Sequence, residues 1–282
     1  MQSATKSREK SEQKICILVI HGPYSPWIEI LNDGQLTTWI KDSEKFPNIT
    51  VVHVFGEPVR EKAHKLDEKY YYLYWSRSKL VARAVISFEY LWKKMITKWQ
   101  PLVHALKKYT DKDSIEWHVA MPDLAILQGV KHLAAIRKSL ELDYDFLVTT
   151  VTSNYINLSQ LQKEVSKLPR SKVLSGRIMT IGPHTWQQGS FRLWSRDIAE
   201  WIIENSGRYK HHLVEDVAMG RLLETSGGEF IGISHETLET VEAAEKSTKN
   251  QLCSIASFRC KSMELGIRTD AQIMRLIHQK LT

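Results

Sequence analysis

DFLVTTVTSNYIN, residues 145–157, is the stretch on which the fold turns. It opens like a strand, with the apolar run Phe146-Leu147-Val148. It then delivers Thr150, Thr152, Ser153 and Asn154, which are small, polar and uncharged. A strand entering a metal site would be expected to end in carboxylates, and here hydroxyls and an amide stand in their place.

Working outward, three more runs read as strands. ICILVI (15–20) is apolar and β-branched and is bounded by Gly22 and Pro23. ITVVHVF (49–55) is expected to stop at Gly56 and Pro58, and EWHVA (116–120) follows. Between them, residues 75–95 predict a helix. Leu80, Val81, Ala84, Val85, Phe88, Leu91, Trp92 and Met95 recur at the spacing of one apolar face. Asp123 is expected to cap a second helix with apolar residues at 124, 127, 130 and 133–134. Strand–helix alternation of this kind predicts an α/β fold with a Rossmann-like, mostly parallel central sheet flanked by helices and joined by right-handed crossovers. Such sheets bind ligands beyond the carboxyl ends of their strands. Those ends are His21-Gly22-Pro23-Tyr24, Glu57, Met121-Pro122-Asp123 and Thr150–Asn154, which predicts one cleft built from four distant segments.

The second half has a different texture. Asn157 caps a short helix carrying Leu158, Leu161, Val165 and Leu168, and residues 172–182 read as a strand. GPHTWQQGSFRLW (182–194) is Gly-rich and aromatic. Ser195 is expected to cap a helix over 196–205 that Gly207 ends. HHLVEDVAMGRLLE (211–224) starts another helix, residues 227–234 suggest a last strand, and 269–281 a final helix. Neither an internal repeat nor a long linker divides the chain. The expectation is a disordered lead over 1–14 and a single domain over 15–282, with halves at 15–155 and 156–245 and a C-terminal tail at 246–282.

Composition bounds the rest. The chain has 282 residues, enough for a sizeable core, with 43% hydrophobic and 25% charged residues. The formal net charge of +7 suits anionic partners: phosphates, nucleotides, nucleic acid or a membrane surface. It does not choose among them, and a plain solvated surface accounts for it as well. Of three cysteines, Cys16 falls in an apolar run and is expected to be buried and inert. Cys253 and Cys260 lack zinc-like neighbours, and a sparse odd count favours a reducing compartment. The polar N-terminus (MQSATKSREKSEQK) has no signal-like core, and no run reaches the ~18 apolar residues of a membrane span. A cytoplasmic protein is expected, with peripheral membrane contact open to the basic tail.

Several clusters suit chemistry, each with an ordinary alternative. Glu215-Asp216 sit at a helix start, where the dipole favours acids; a carboxylate in a cleft also suits proton removal from an attacking hydroxyl. Ser76, Lys79, Arg83 and Ser87 form a polar stripe suited to a diphosphate, or simply a solvated helix face. Trp186 with Gln188, Gly189 and Ser190 forms a plausible sugar platform, though tryptophan more often packs in a core. The eleven histidines offer no metal triad; His53 and His118 fall within strands and His235 follows one.

Three of these motifs lie in a known order. The chain resembles the inverting β-1,3-galactosyltransferase and fringe-like glycosyltransferases of the GT-A fold, in which a strand end reads D-F-L-x-x-x-D-D-D-x-F-x-N. Asp145 to Asn157 follows that pattern, except that Val151, Thr152 and Ser153 replace the three acids. Gly189 through Ser195-Arg196-Asp197, then Glu215-Asp216-Val217, follow the family's later motifs in order. The match spans about residues 115–235, and the first hundred residues share only the strand–helix rhythm.

The resemblance implies a nucleotide-sugar donor, with a lean towards UDP, over the N-terminal strand ends. The expected donor-binding residues are His21, Gly22, Tyr24, Lys79, Arg83, Asp123, Thr150, Thr152, Ser153 and Asn154. A glycan, glycoprotein or lipid-linked acceptor would lie against Trp186, Gln188, Gly189 and Ser190, with Asp216 as general base and Glu215 orienting it. In the family the three acids hold a divalent ion, and Val151, Thr152 and Ser153 are poor ligands for one. The expectation is therefore an inverting glycosyltransferase, hexosyl or pentosyl, that needs no metal cofactor. A bacterial or virus-encoded enzyme working in cytosol fits the absent signal peptide. A non-catalytic carbohydrate- or nucleotide-binding relative is the alternative. A basic nucleic-acid-binding protein ranks last, because no recognised nucleic-acid module is present.

Overall fold

The computed structural model describes residues 12–22, 24–57, 106–111, 114–123, 127–181, 184–211 and 213–282; for 106–111, 114, 120–122, 181 and 184 it describes the backbone only. The predicted helix over 75–95, with Lys79 and Arg83, lies outside the described residues.

Strand β1 (Ile15–Ile20) is buried at all six positions, as its unbroken apolar run requires. A short helix α1 (Trp27–Ile30), a π turn (Leu31–Gln35) and α2 (Trp39–Asp42) lead to β2 (Ile49–Glu57). After β3 (Leu106–Asp111) and β4 (Ser114–Pro122) come α3 (Gln128–Ser139) and β5 (Phe146–Val151). The chain continues through β6 (Asn154–Ile156), α4 (Leu158–Val165), β7 (Val173–Ile181) and β8 (His184–Ser195). Helices α5 (Arg196–Glu204) and α6 (Glu215–Leu223) precede the two-residue β9 (Glu229–Phe230) and β10 (His235–Thr237). The C-terminal segment holds α7 (Val241–Lys246), α8 (Lys249–Cys253), β11 (Ser257–Arg259), β12 (Met263–Glu264), β13 (Ile267–Arg268) and α9 (Asp270–Leu281).

Eight strands form one sheet in the order β3-β4-β2-β1-β5-β8-β7-β9. Four neighbouring pairs are parallel: β4 with β2, β2 with β1, β1 with β5, and β7 with β9. Three are antiparallel: β3 with β4, β5 with β8, and β8 with β7. The sheet is thus α/β and mixed; it is mostly parallel, as alternation predicted, with antiparallel pairs at its β3 edge and on the β5-β8-β7 side. Strand order reverses beside β1, because β2 and β4 lie on one side and β5 on the other. The crevice between β1 and β5 is therefore the topological switch point, where open α/β sheets bind ligands.

Pleating sends alternate residues to two cores. Ile15, Ile17, Val19, Phe146, Val148, Phe191 and Leu193 face one layer, closed by Ile273, Met274 and Ile277 of α9 and by Phe258. Cys16, Leu18, Ile20, Leu147 and Trp194 face the other, closed by α3, α5 and α6 through Leu133, Ile198, Ala218 and Met219. A small sheet, β10-β11-β6, binds the C-terminal segment to the end of β5.

Several expectations need correction. Gly56 does not stop β2; the strand runs on to Glu57. Asp123 does not cap α3, whose N-cap position is Leu127. Residues 184–195 of the Gly-rich segment form a twelve-residue strand, where a loop-like platform was expected. Ser195 stands at the N-cap position of α5 but makes no side-chain cap; its Oγ accepts from the Val173 N–H at 2.9 Å. That helix ends at Glu204, before Gly207. Only two residues of the 227–234 run are strand. The Asn157 cap is as expected, its Oδ1 accepting from Gln160 N–H at 3.2 Å. Cys16 is buried, and desolvation pushes its thiol up to about 12.

Candidate active site

Helix α6 begins with two carboxylates, Glu215 and Asp216, beside the positive end of its dipole. Its neighbour is β8, which presents Arg192 on the face opposite Phe191 and Leu193. The Arg192 guanidinium is fully buried and forks onto Glu215, donating from Nη1 to Oε1 and from Nη2 to Oε2, each at 2.7 Å. Nη2 also donates to Asp216 Oδ1 at 3.0 Å. On its other side Glu215 meets His132 Nδ1 of α3 at 2.5 Å. Burial by itself would raise the Glu215 pKa; the charge of Arg192, then that of His132, overrides it and holds the group well below the usual carboxylate range. Glu215 is a fixed anion.

Asp216 is held differently. Its side chain is 32% exposed, against 10% for Glu215. Burial raises its pKa to about 6; Arg192 opposes that rise, Glu215 adds to it, and the Gly189 N–H opposes it by hydrogen bonding. Gly189 is required here, because a Cβ at that position would lie 2.4 Å from Asp216 Oδ1. An accessible carboxylate with a pKa near 6 is ionised at neutral pH and basic enough to take a proton from an attacking hydroxyl.

The ends of the parallel strands meet at a second cluster. Lys131 of α3 is buried and donates from Nζ to His21 O at 2.8 Å and to Asp123 Oδ1 and Oδ2 at 2.8 and 2.9 Å. Asp123 Oδ2 also accepts from the Gly56 N–H at 2.8 Å, and Asp123 N donates to Glu57 O at 2.9 Å. His21 stacks on His53 with ring centroids 5.0 Å apart, and its Nε2 lies 2.9 Å from His53 Nδ1. Its Nδ1 lies 3.1 Å from Thr152 Oγ1, which bridges the switch point between β1 and β5. Desolvation lowers His53 to about 4 and His21 well below the ordinary histidine value, so both rings are neutral at physiological pH.

The four predicted strand ends therefore do converge, but many of their side chains serve the fold. Thr150 Oγ1 donates to Ser190 O at 3.0 Å, and Asn154 Nδ2 donates to Ser257 Oγ at 2.9 Å. Asp123 is a buried strap. Ser153 is buried, and its carbonyl accepts from Cys260 N–H at 2.8 Å. Gly22 packs so that a Cβ there would meet Trp27 Cδ1 at 2.8 Å. Tyr24 is half-buried in the same loop. On the acceptor side, Trp186 is half-buried against α6, where a Cβ on Gly220 would lie 2.4 Å from its own Cβ. Ser190 Oγ donates to Gln188 Oε1 at 3.2 Å.

Arg192, His132 and Lys131 were missed by the sequence reading. A signal existed for each: Arg192 interrupts the apolar run Phe191 to Trp194, and Lys131 and His132 interrupt the apolar set Val130, Leu133 and Ala134 in a helix that is buried at every position from Val130 to Ile136.

The divalent ion that the resemblance implies does not fit the residues at the end of β5. Val151 has no donor, and the Thr152 hydroxyl is engaged by His21. Among the described residues, no three or more His, Cys, Asp or Glu side chains gather as metal ligands. Nor, among them, is any helix long and apolar enough to cross a membrane. No protein-family model matches the chain, and no curated protein does either.

Proposed function

We propose that this protein is an inverting glycosyltransferase that moves a sugar from a nucleotide-sugar, with UDP favoured, to a hydroxyl of a glycan, glycoprotein or lipid-linked acceptor. The observation that carries the reading is the division of labour between the two carboxylates. Glu215 is locked by Arg192 and His132, while Asp216 keeps solvent access and an elevated pKa. In the proposed step the acceptor oxygen bonds to the anomeric carbon as the bond to the diphosphate oxygen breaks, and the hydroxyl proton passes to Asp216. One in-line displacement inverts the configuration. Asp216 is linked to the end of β5 through Gly189-Ser190 and Thr150, so base and strand-end crevice belong to one region. Trp186 and Gln188 flank the same strand segment and suit a sugar acceptor.

Without acids at 151–153, we propose that the reaction needs no metal and that cations and neutral donors balance the diphosphate. Transfer measured with excess EDTA and then with added manganese tests this. Equal rates are expected, and activity that vanishes in chelator overturns it. Donors can be found with a thermal-shift panel of UDP-, GDP- and dTDP-sugars.

One observation favours a non-catalytic relative: Thr150 and Asn154 spend their donors inside the fold. That reading predicts sugar-nucleotide binding with no transfer and no slow donor hydrolysis, which the same assay resolves.

A further inference from the structure

The cations nearest the catalytic carboxylates and the strand ends are already committed. Arg192 is taken by Glu215 and Asp216, and Lys131 by Asp123 and the His21 carbonyl. A donor's diphosphate at the switch point would need positive charge from elsewhere, and the C-terminal segment brings it. Strand β11 pairs with β6 so that Arg259 stands opposite Asn154, and the next residue, Cys260, donates its N–H to Ser153 O at 2.8 Å. Cys260 is buried in the core, whereas Arg259 is half-buried and Lys261 is exposed. Arg268 lies with its guanidinium carbon 4.7 Å from the centre of the Trp27 ring, and Trp27 packs on Gly22 at the end of β1. The C-terminal basic residues thus reach both loops that border the crevice, Gly22–Trp27 from β1 and Thr152-Ser153 from β5.

We propose that Lys261, within the positive field of Arg259 and of the Asp270-bound Arg268, cradles the diphosphate of the donor and does the charge work that a dication would otherwise do. This rests on the glycosyltransferase reading and adds to it the residues that hold the leaving group. Two features support it. Lys261 is exposed, yet its pKa is lowered by partial burial and then by Arg259 and Arg268; only Asp270 opposes this, and Arg268 already engages Asp270 through Nε at 2.7 Å and through Nη2. Cations that repel one another across a crevice wall mark a place where an anion is stabilising. The strip also continues: Arg177 and Arg259 both act on His235, whose ring nitrogens are buried without a hydrogen-bond partner. An ammonium is a mobile point charge, and the guanidinium groups beside it add positive field, so the strip suits a polyanion such as two linked phosphates. As the anomeric bond breaks, the departing diphosphate gains negative charge that this strip would stabilise.

The test is calorimetric titration of the full chain with inorganic pyrophosphate and with UDP, both in EDTA. Lys261 is the residue to change, because it is exposed and its removal leaves the Arg268–Asp270 pair intact. Lys261→Glu is expected to weaken both ligands by about tenfold or more, and Lys261→Arg to restore most of the loss. Thermal melts should superimpose for all three proteins. Wild-type protein that binds no pyrophosphate, or Lys261→Glu that binds it unchanged, overturns the cradle. Failures of the two readings separate cleanly. Unchanged UDP binding by Lys261→Glu in an enzyme that transfers sugar removes the cradle and keeps the reaction. Pyrophosphate binding that depends on Lys261 in a protein with no transfer keeps the anion site and removes the reaction.

Discussion

Gly189 and Asp216 lie so close that a methyl group on Gly189 would stand 2.4 Å from Asp216 Oδ1 and 3.1 Å from Arg192 Nη2. The two residues are 27 positions apart in the chain, one on β8 and the other on α6, and the absence of a side chain on Gly189 is what lets them meet. Gly189→Ala must therefore displace a carboxylate that is one-third exposed and free to move outward. The expected result is a folded protein whose transfer rate falls by about 100-fold, because misplacing a reacting group by about an ångström costs that much. A melting temperature within a few degrees of wild type, measured beside the rate, separates displacement from unfolding.

The pH profile follows from the same carboxylate. Folding raises Asp216 to about 6 from the ordinary value near 4, through burial first and the Glu215 charge as well. A base must be ionised, so transfer should rise about tenfold per pH unit towards pH 6 and level off above it. The stability sign is opposite. The native state holds this proton more tightly than the unfolded chain, so the group's contribution to stability is greatest at acid pH and falls as pH rises through about 6. Asp216→Asn should therefore melt at or above the wild-type temperature at pH 7.5, lose that advantage at pH 4.5, and lose transfer by orders of magnitude at both. A variant that turns over normally removes Asp216 from the mechanism.

What the sequence disclosed and what it hid divide by range. The Asn157 cap is a bond to a residue three further on, and the acids of α6 answer to the first turn of their own helix. Strand β5 announces itself by an apolar run. Gly56 was misread because its reason lies in Asp123, whose carboxylate receives the Gly56 N–H and whose own Cβ would stand 2.8 Å from any Cβ at Gly56. The strand over 184–195 was hidden in the same way, its Gly189 answering to Asp216 and not to a turn. Arg192 looks like an interruption of an apolar pattern until its partner, 23 residues distant, is known, and Lys131 until its contacts with Asp123, 8 residues away, and with the His21 carbonyl, 110 residues away, are known. The carboxylates of the proposed mechanism were therefore readable, and the buried cations that set their properties were not.

Arg192 should matter for folding as well as for activity. Its guanidinium is fully buried and is shared between two carboxylates. Arg192→Met would leave Glu215 a buried anion beside Asp216 with His132 as its remaining partner, at a cost of about 3 kcal/mol. Arg192→Lys should recover only part of this, since an ammonium cannot reproduce the fork onto both Glu215 oxygens. Urea unfolding of the three proteins at neutral pH measures the series. Equal midpoints for Arg192→Met and wild type would mean that the pair is not buried as described.

The Lys131–Asp123 pair offers a test between strap and ligand. Sequence reading placed Asp123 on the donor; the structure has it gripped by Lys131 and the Gly56 N–H. Asp123→Asn keeps an oxygen for Gly56 but leaves the Lys131 ammonium buried without a counter-charge, which should cost about 3–5 kcal/mol. Adding Lys131→Met removes the stranded charge, so the double variant should be more stable than Asp123→Asn alone by urea unfolding. Two residues in one network are expected to couple in this way. If Asp123→Asn instead unfolds at the wild-type midpoint and weakens UDP-sugar binding, the carboxylate is a ligand and not a strap. In that case the donor would reach deeper between β2 and β4 than the switch point itself.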